Sequence, residues 1–141
     1  MGQSITVLDK WTQNKLHQPF TWGVSDCHWL MYDFLKIWAD WKDPDNYAKL
    51  FKTYSDRRGA NRVAEGIDVL QQITDLGYEE VNRNTVETGD IICVSMLNDK
   101  YDLWMPVVSR NTLICGDALS KEIRLKNVAD LKPGYKQYRK V

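Results

Sequence analysis

The chain is poor in the residues most chemistry needs: 141 residues hold two histidines, three cysteines and four prolines. An odd number of cysteines without Cys-x-x-Cys spacing argues against a disulfide framework and against a zinc site, and suits a reducing compartment. Neither sign of charge is in excess, with 19 basic and 19 acidic side chains. A dedicated nucleic-acid binder or a polyanion mimic is therefore not expected. No apolar run approaches the ~20 residues of a membrane span. Residues Met1 to Thr6 lack the apolar stretch of a signal peptide. They do fit the loose acylation pattern Met-Gly-x-x-x-Ser/Thr, which recurs by chance and carries no weight. Glycine-rich phosphate loops, His-Glu-x-x-His and carboxylate ladders are all missing, so neither a cofactor nor a metal is expected. Repeats, low-complexity tracts and linkers are absent too, and the length suits one core in one domain, residues 1–141.

What is present reads as helices first and strands afterwards. Ile5, Leu8, Trp11 and Leu16 recur at helical spacing, predicting an amphipathic helix from Ser4 to about His17 that stops before Pro19. Pro19 and Gly23 make the next segment a structured loop. From Ser25, the residues Leu30, Met31, Phe34, Leu35, Trp38 and Trp41 lie on one face of a core helix with Cys27 in its first turn. Asp43-Pro44-Asp45 breaks that helix, and Tyr47, Leu50 and Phe51 suit a short one. A further helix is predicted from Arg57 to Leu76, ending at Gly77. Short strands follow at Asp90 to Met96, Trp104 to Ser109, Thr112 to Cys115 and Glu122 to Leu125. The expected fold is α+β, with N-terminal helices packed on one face of a small C-terminal antiparallel sheet.

Cys93 and Cys115 lie in apolar runs and read as core residues. The third thiol differs, because a helix start stabilises a thiolate and lowers its pKa from about 8.5. Ser25 or Asp26 can cap that helix, and its free amides can stabilise an oxyanion in acyl transfer. The alternative is that Cys27 packs under Phe20, Trp22 and Trp29 as an ordinary small hydrophobe. From Lys121 onward the chain is basic, which reads as a solvated face or a contact with an anionic partner. Six tryptophans are more than a small core needs, so some are candidates for an interface.

The string Pro19-Phe20-Thr21-Trp22-Gly23-Val24-Ser25-Asp26-Cys27 resembles the nucleophile segment of the NlpC/P60 cysteine peptidases, which have a papain-like fold. Thr88-Gly89-Asp90-Ile91-Ile92-Cys93-Val94 is similar to that family's Gly-Asp followed by an apolar strand. The likeness is greatest to short phage-encoded members in which Trp-Gly-x-x-Asp-Cys precedes Tyr-x-x-x-x-Gly-Ala, here Tyr54 to Ala60. The resemblance implies Cys27 as nucleophile, flanked by Asp26 and Ser25, and a general-base histidine at the start of the strand after the Gly-Asp strand. No histidine follows His28 in this chain. Laid against the family pattern, Met105 falls nearest the histidine, and Asp117 falls near the residue that would orient it. His17, folded back across the loop, is the candidate substitute base. His28 adjoins Cys27 on the helix, where neighbours point about 100° apart.

Two functions follow. One is a phage virion or tail-associated structural or assembly protein, a peptidase homologue that has lost its base and whose partners are other phage structural proteins. The other is an active peptidase or amidase cutting peptidoglycan peptides through Cys27. A thioester-forming acyltransferase of similar fold is a third reading. The implied location is the virion, or the host cytoplasm during assembly.

Overall fold

In the computed structural model, residues 5–22, 25–42, 54–65, 68–82, 85–95, 102–117, 119–131 and 133–141 are described; for Cys27, His28, Asn61, Val63, Ala64 and Glu65 this extends to the backbone only. Among the described residues, four α-helices precede six strands: α1 (Ile5–Lys15), α2 (Cys27–Trp38), α3 (Arg57–Glu65), α4 (Val69–Asp75), β1 (Tyr78–Val81), β2 (Ile91–Ser95), β3 (Asp102–Ser109), β4 (Thr112–Asp117), β5 (Glu122–Asn127) and β6 (Lys136–Lys140). The strands form one antiparallel sheet in the order β1-β6-β2-β3-β4-β5. The fold is α+β with helices packed on a sheet, as the sequence pattern predicts.

The alternation of strand side chains decides which residues face the helices. Ile91 and Cys93 of β2, Val108 of β3, Ile114 of β4, Ile123 of β5 and Tyr138 of β6 join the α2 residues Leu30, Met31, Phe34 and Leu35 in the main core. Trp104 packs against that same cluster. The intervening residues Ile92, Met105, Val107, Leu113 and Cys115 form a second core on the other face, closed by Val86, Val128, Leu131 and Tyr135 from the connecting turns. The sheet is thus covered on both sides. Each thiol among Cys93 and Cys115 is buried, one on each face.

Several elements differ from the sequence expectation. The first helix ends at Lys15, and His17 beyond it has a left-handed backbone, φ 67°. The helix expected over 57–76 is two helices, because Asp68 caps a fresh start by accepting from the Gln71 amide at 3.0 Å. The short helix around Tyr47 lies outside the described residues. Strands β1 and β6 are additional, and β6 sits inside the sheet between β1 and β2.

The basic C-terminus is consequently not just a solvated face. Arg139 of β6 is bidentate on the buried Asp90, with Nε to Oδ1 and Nη2 to Oδ2 both 2.9 Å. Gln137 donates to the same carboxylate at 2.9 Å, and so does the Glu87 amide at 3.0 Å. The Gly-Asp pair is therefore a clamp: Asp90 holds the last strand, while Gly89 turns with φ 93° and receives the Trp38 ring where a Cβ would sit. The Tyr78 hydroxyl closes the turn by donating to the Gly89 carbonyl at 2.8 Å.

Candidate functional site

The loop that leads to Cys27 is built by backbone and side-chain bonds together. Its first half lies along the outer edge of β5: the His17 amide donates to the Ile123 carbonyl, the Ile123 amide to Gln18, and the Phe20 amide to Lys121, each at 2.9 Å. This satisfies an edge strand that would otherwise be open to pairing. Its second half is tied by Ser25, whose Oγ donates to the Pro19 carbonyl at 2.7 Å and accepts from the Thr21 amide at 2.9 Å. Ser25 thus holds the loop rather than the chemistry.

Asp26 is the N-cap of α2. Its backbone is extended, and its Oδ1 accepts from the Trp29 amide at 3.2 Å. The other oxygen accepts from the buried Tyr54 hydroxyl at 2.6 Å. Tyr54 opens the Tyr-x-x-x-x-Gly-Ala segment, and Gly59 serves it directly, since a Cβ there would lie 2.6 Å from the Tyr54 Cβ. Asp56 completes the arrangement by accepting from the Gly59 amide at 2.7 Å. Two motifs separated by some thirty positions therefore meet at one carboxylate, a contact that spacing alone does not disclose.

Cys27 begins α2, one residue after this cap. The cap consumes the Trp29 amide, while the Cys27 and His28 amides belong to the turn that has no intrahelical acceptors. The direction of α2 follows from its two ends. Trp38 at the C-terminal end lies on Gly89, whose amide donates to Val107 near the end of β3. At the other end, Phe20 of the preceding loop lies on Gly116 near the end of β4. Because β3 and β4 are antiparallel, the start of α2 lies toward the Trp104 end of β3 and the Gly116 end of β4.

That geometry sorts the residues singled out by pattern. Met105 points into the second core, away from α2. Asp117, two residues past Cys115 on the same side of the strand, also faces away. Its carboxylate accepts from the Leu119 amide and the Ser120 hydroxyl, both at 3.1 Å, which hold it below the usual carboxylate range. It shapes the β4–β5 turn. On the helix side, the residues toward the start of α2 include Trp104, its cross-strand partner Cys93, the Asp102 carboxylate beside that thiol, and Gly116 under the Phe20 ring. Burial and the neighbouring Asp102 push the Cys93 thiol up to about 12. It stays protonated at neutral pH.

His17 is not folded toward α2. Its Nδ1 lies 3.4 Å from Oε2 of Glu122, which also accepts from Arg124, and the imidazole is largely exposed at the outer edge of β5. Among the described residues no group of three or more histidines, cysteines and carboxylates is placed to hold a metal. No helix among them is long and apolar enough to cross a membrane.

Fold and site together define a class: an α+β domain with a cysteine at the capped start of a buried helix, laid against an antiparallel sheet. Residues 5–118 match the family model described as "Domain of unknown function (DUF6950)", and the chain belongs to that family. The match stops just past β4, so β5 and β6 lie outside it. No curated protein and no solved structure matches the chain.

Proposed function

We propose that this protein is a virion- or tail-associated structural or assembly protein of a phage, built on an NlpC/P60-like, papain-type fold that has lost its catalytic base. The observation that carries the loss is the composition of the sheet face toward the start of α2. Trp104, Gly116 and the high-pKa thiol of Cys93 occupy it, with the Asp102 carboxylate hydrogen-bonded to that thiol, and no imidazole stands among them. The Phe20 ring lies over Gly116, filling space into which a longer side chain would project. A positioned proton carrier typically contributes about 10²- to 10⁴-fold to such chemistry. Without one, an amide leaving group has no proton donor.

The assignment to a phage particle is drawn from the likeness of the Trp-Gly-x-x-Asp-Cys and Tyr-x-x-x-x-Gly-Ala segments to short phage-encoded members. Joined through Asp26 and Tyr54, those segments act as one structural unit. The partners would be other structural proteins of the particle. Mass spectrometry of purified particles tests the location, and a chain found only in lysate and never in particles or their precursors would refute it. Incubation with peptidoglycan stem peptides tests the loss of activity. The expected result is no cleavage and a Cys27 labelling rate like that of an ordinary thiol. Turnover abolished by Cys27→Ser would instead establish a cell-wall peptidase or amidase, with His28 the first residue to change in search of its base.

A further inference from the structure

We infer that the two edges of the sheet are complementary, so that copies of this chain associate head to tail, the β1 edge of one against the β5 edge of the next. The sheet is open, with β1 and β5 as its outer strands, and every pairing within it is antiparallel. Six alternating strands leave β1 and β5 running in opposite directions. A second copy shifted across the strands therefore continues the ladder antiparallel, with its helices on the same face of the sheet. This pairing depends on the two edges alone and not on membership of a phage particle.

The backbone groups still open on each edge fix how the edges meet. On β1, the Gly77 carbonyl accepts from the Val141 amide at 2.9 Å, on the β6 side. Alternation along the strand turns the amides and carbonyls of Tyr78 and Glu80 the other way, where no described residue bonds them. On β5, the loop of residues 17–20 takes the Lys121 carbonyl and both groups of Ile123. The same alternation leaves Leu125 and Asn127 pointing outward and open. One antiparallel register satisfies all of these groups, with Glu80 opposite Leu125 and Tyr78 opposite Asn127. Glu79 then stands directly opposite Lys126. Tyr78 and Ile123 both face the helices, so Glu80 and Leu125 share that face and the register keeps the helical layers on one side.

Charge selects this contact over its rivals. Glu79, Glu80 and Lys126 are exposed, and none has an ion-pair partner among the described residues. The same open groups allow β1 to meet β1, or β5 to meet β5, but those contacts set Glu79 against Glu79 and Lys126 against Lys126. Like charges directly opposite repel, and opposite charges attract. A head-to-tail contact leaves an edge open at each end, so it continues into a ring or a filament. Few residues meet, so the association is weak and belongs to high protein concentration.

Cross-linking tests the register. Cys93 and Cys115 are buried, so in a Cys27→Ser background an introduced thiol is the accessible one. Residues opposite each other in a non-hydrogen-bonded pair have Cα atoms about 4.5 Å apart, within disulfide reach. Mild oxidation of Glu79→Cys mixed with Lys126→Cys should form dimers about tenfold faster, or more, than Lys126→Cys mixed with Arg62→Cys on α3. Either variant alone should cross-link at the control rate, and both substitutions in one chain should give a ladder of dimers, trimers and longer chains. A mixed rate equal to the control overturns the pairing and makes the charges guards of two closed edges. Equally fast dimers from Glu79→Cys alone also overturn it, since β1 would then pair with itself. Sedimentation equilibrium at about 1 mM reads the contact with all native thiols in place: Glu79→Lys or Lys126→Glu should weaken association about tenfold, and the two together should restore it. A monomeric wild type at that concentration, or a double variant no better than the singles, refutes the head-to-tail contact.

Discussion

Replacing Arg139 by leucine should cost this domain about 3 kcal/mol. The Asp90 carboxylate is almost wholly buried, its side chain 2% exposed against 27% for Arg139, and it takes two bonds from that guanidinium. Removing one partner of a buried ion pair costs roughly 3–5 kcal/mol, because the remaining charge keeps its desolvation penalty without its counter-charge. The partial exposure of Arg139 and the surviving bonds from Gln137 and the Glu87 amide put the expected cost at the lower end of that range. At about 2.1 cal/mol/K of unfolding entropy per residue, 141 residues give roughly 0.3 kcal/mol/K. The melting temperature should then fall by about 10 °C, read by circular dichroism at fixed pH and protein concentration. Asp90→Asn in the same background should recover part of the loss, since no buried charge is then left unpaired. A coupling of about 2 kcal/mol is expected from the cycle of two single variants and the double. A fall below about 2 °C in Arg139→Leu, or additive variants, would refute the clamp and return the basic C-terminus to the role of a solvated face.

Two other outcomes test the site and its surroundings. Tyr54→Phe removes a donor to a buried, charged acceptor and should lower stability in urea by about 1.5–3 kcal/mol; an unchanged midpoint and slope would show that the two motifs meet without depending on each other. The Cys93 thiol, pushed up to about 12 in the folded protein, ionises near 8.5 in an unfolded chain. Its folded pKa is raised, so its contribution is fully present below about pH 8.5 and is lost as pH rises toward 12. The stability advantage of wild type over Cys93→Ala should shrink across that window, and a difference independent of pH would contradict the burial and the Asp102 contact that cause the shift.

Helices at Ile5, Cys27 and Arg57, and strands at Ile91, Asp102, Thr112 and Glu122, could be read from residue order because periodicity and breakers are local properties. The burial of Cys93 and Cys115 followed from the same apolar runs. Asp26 or Ser25 could be named as cap, and the pattern singled out Cys27 as the residue at a helix start. Local pattern left open which of the two caps, and the answer is Asp26 because Ser25 is engaged with Pro19 and Thr21.

The remaining features depend on contacts between distant parts of the chain. Strand β6 is short and charged, and only its insertion between β1 and β2, with Arg139 on Asp90, makes it an interior strand. Which face of a strand meets a helix is a matter of register, and a shift by one residue exchanges the two faces. For that reason linear spacing pointed to Met105 and Asp117, while packing turned Trp104 and Gly116 toward α2. The bond from Tyr54 to Asp26 and the placement of His17 on Glu122 are likewise products of the folded chain, since each joins segments that no short-range preference brings together.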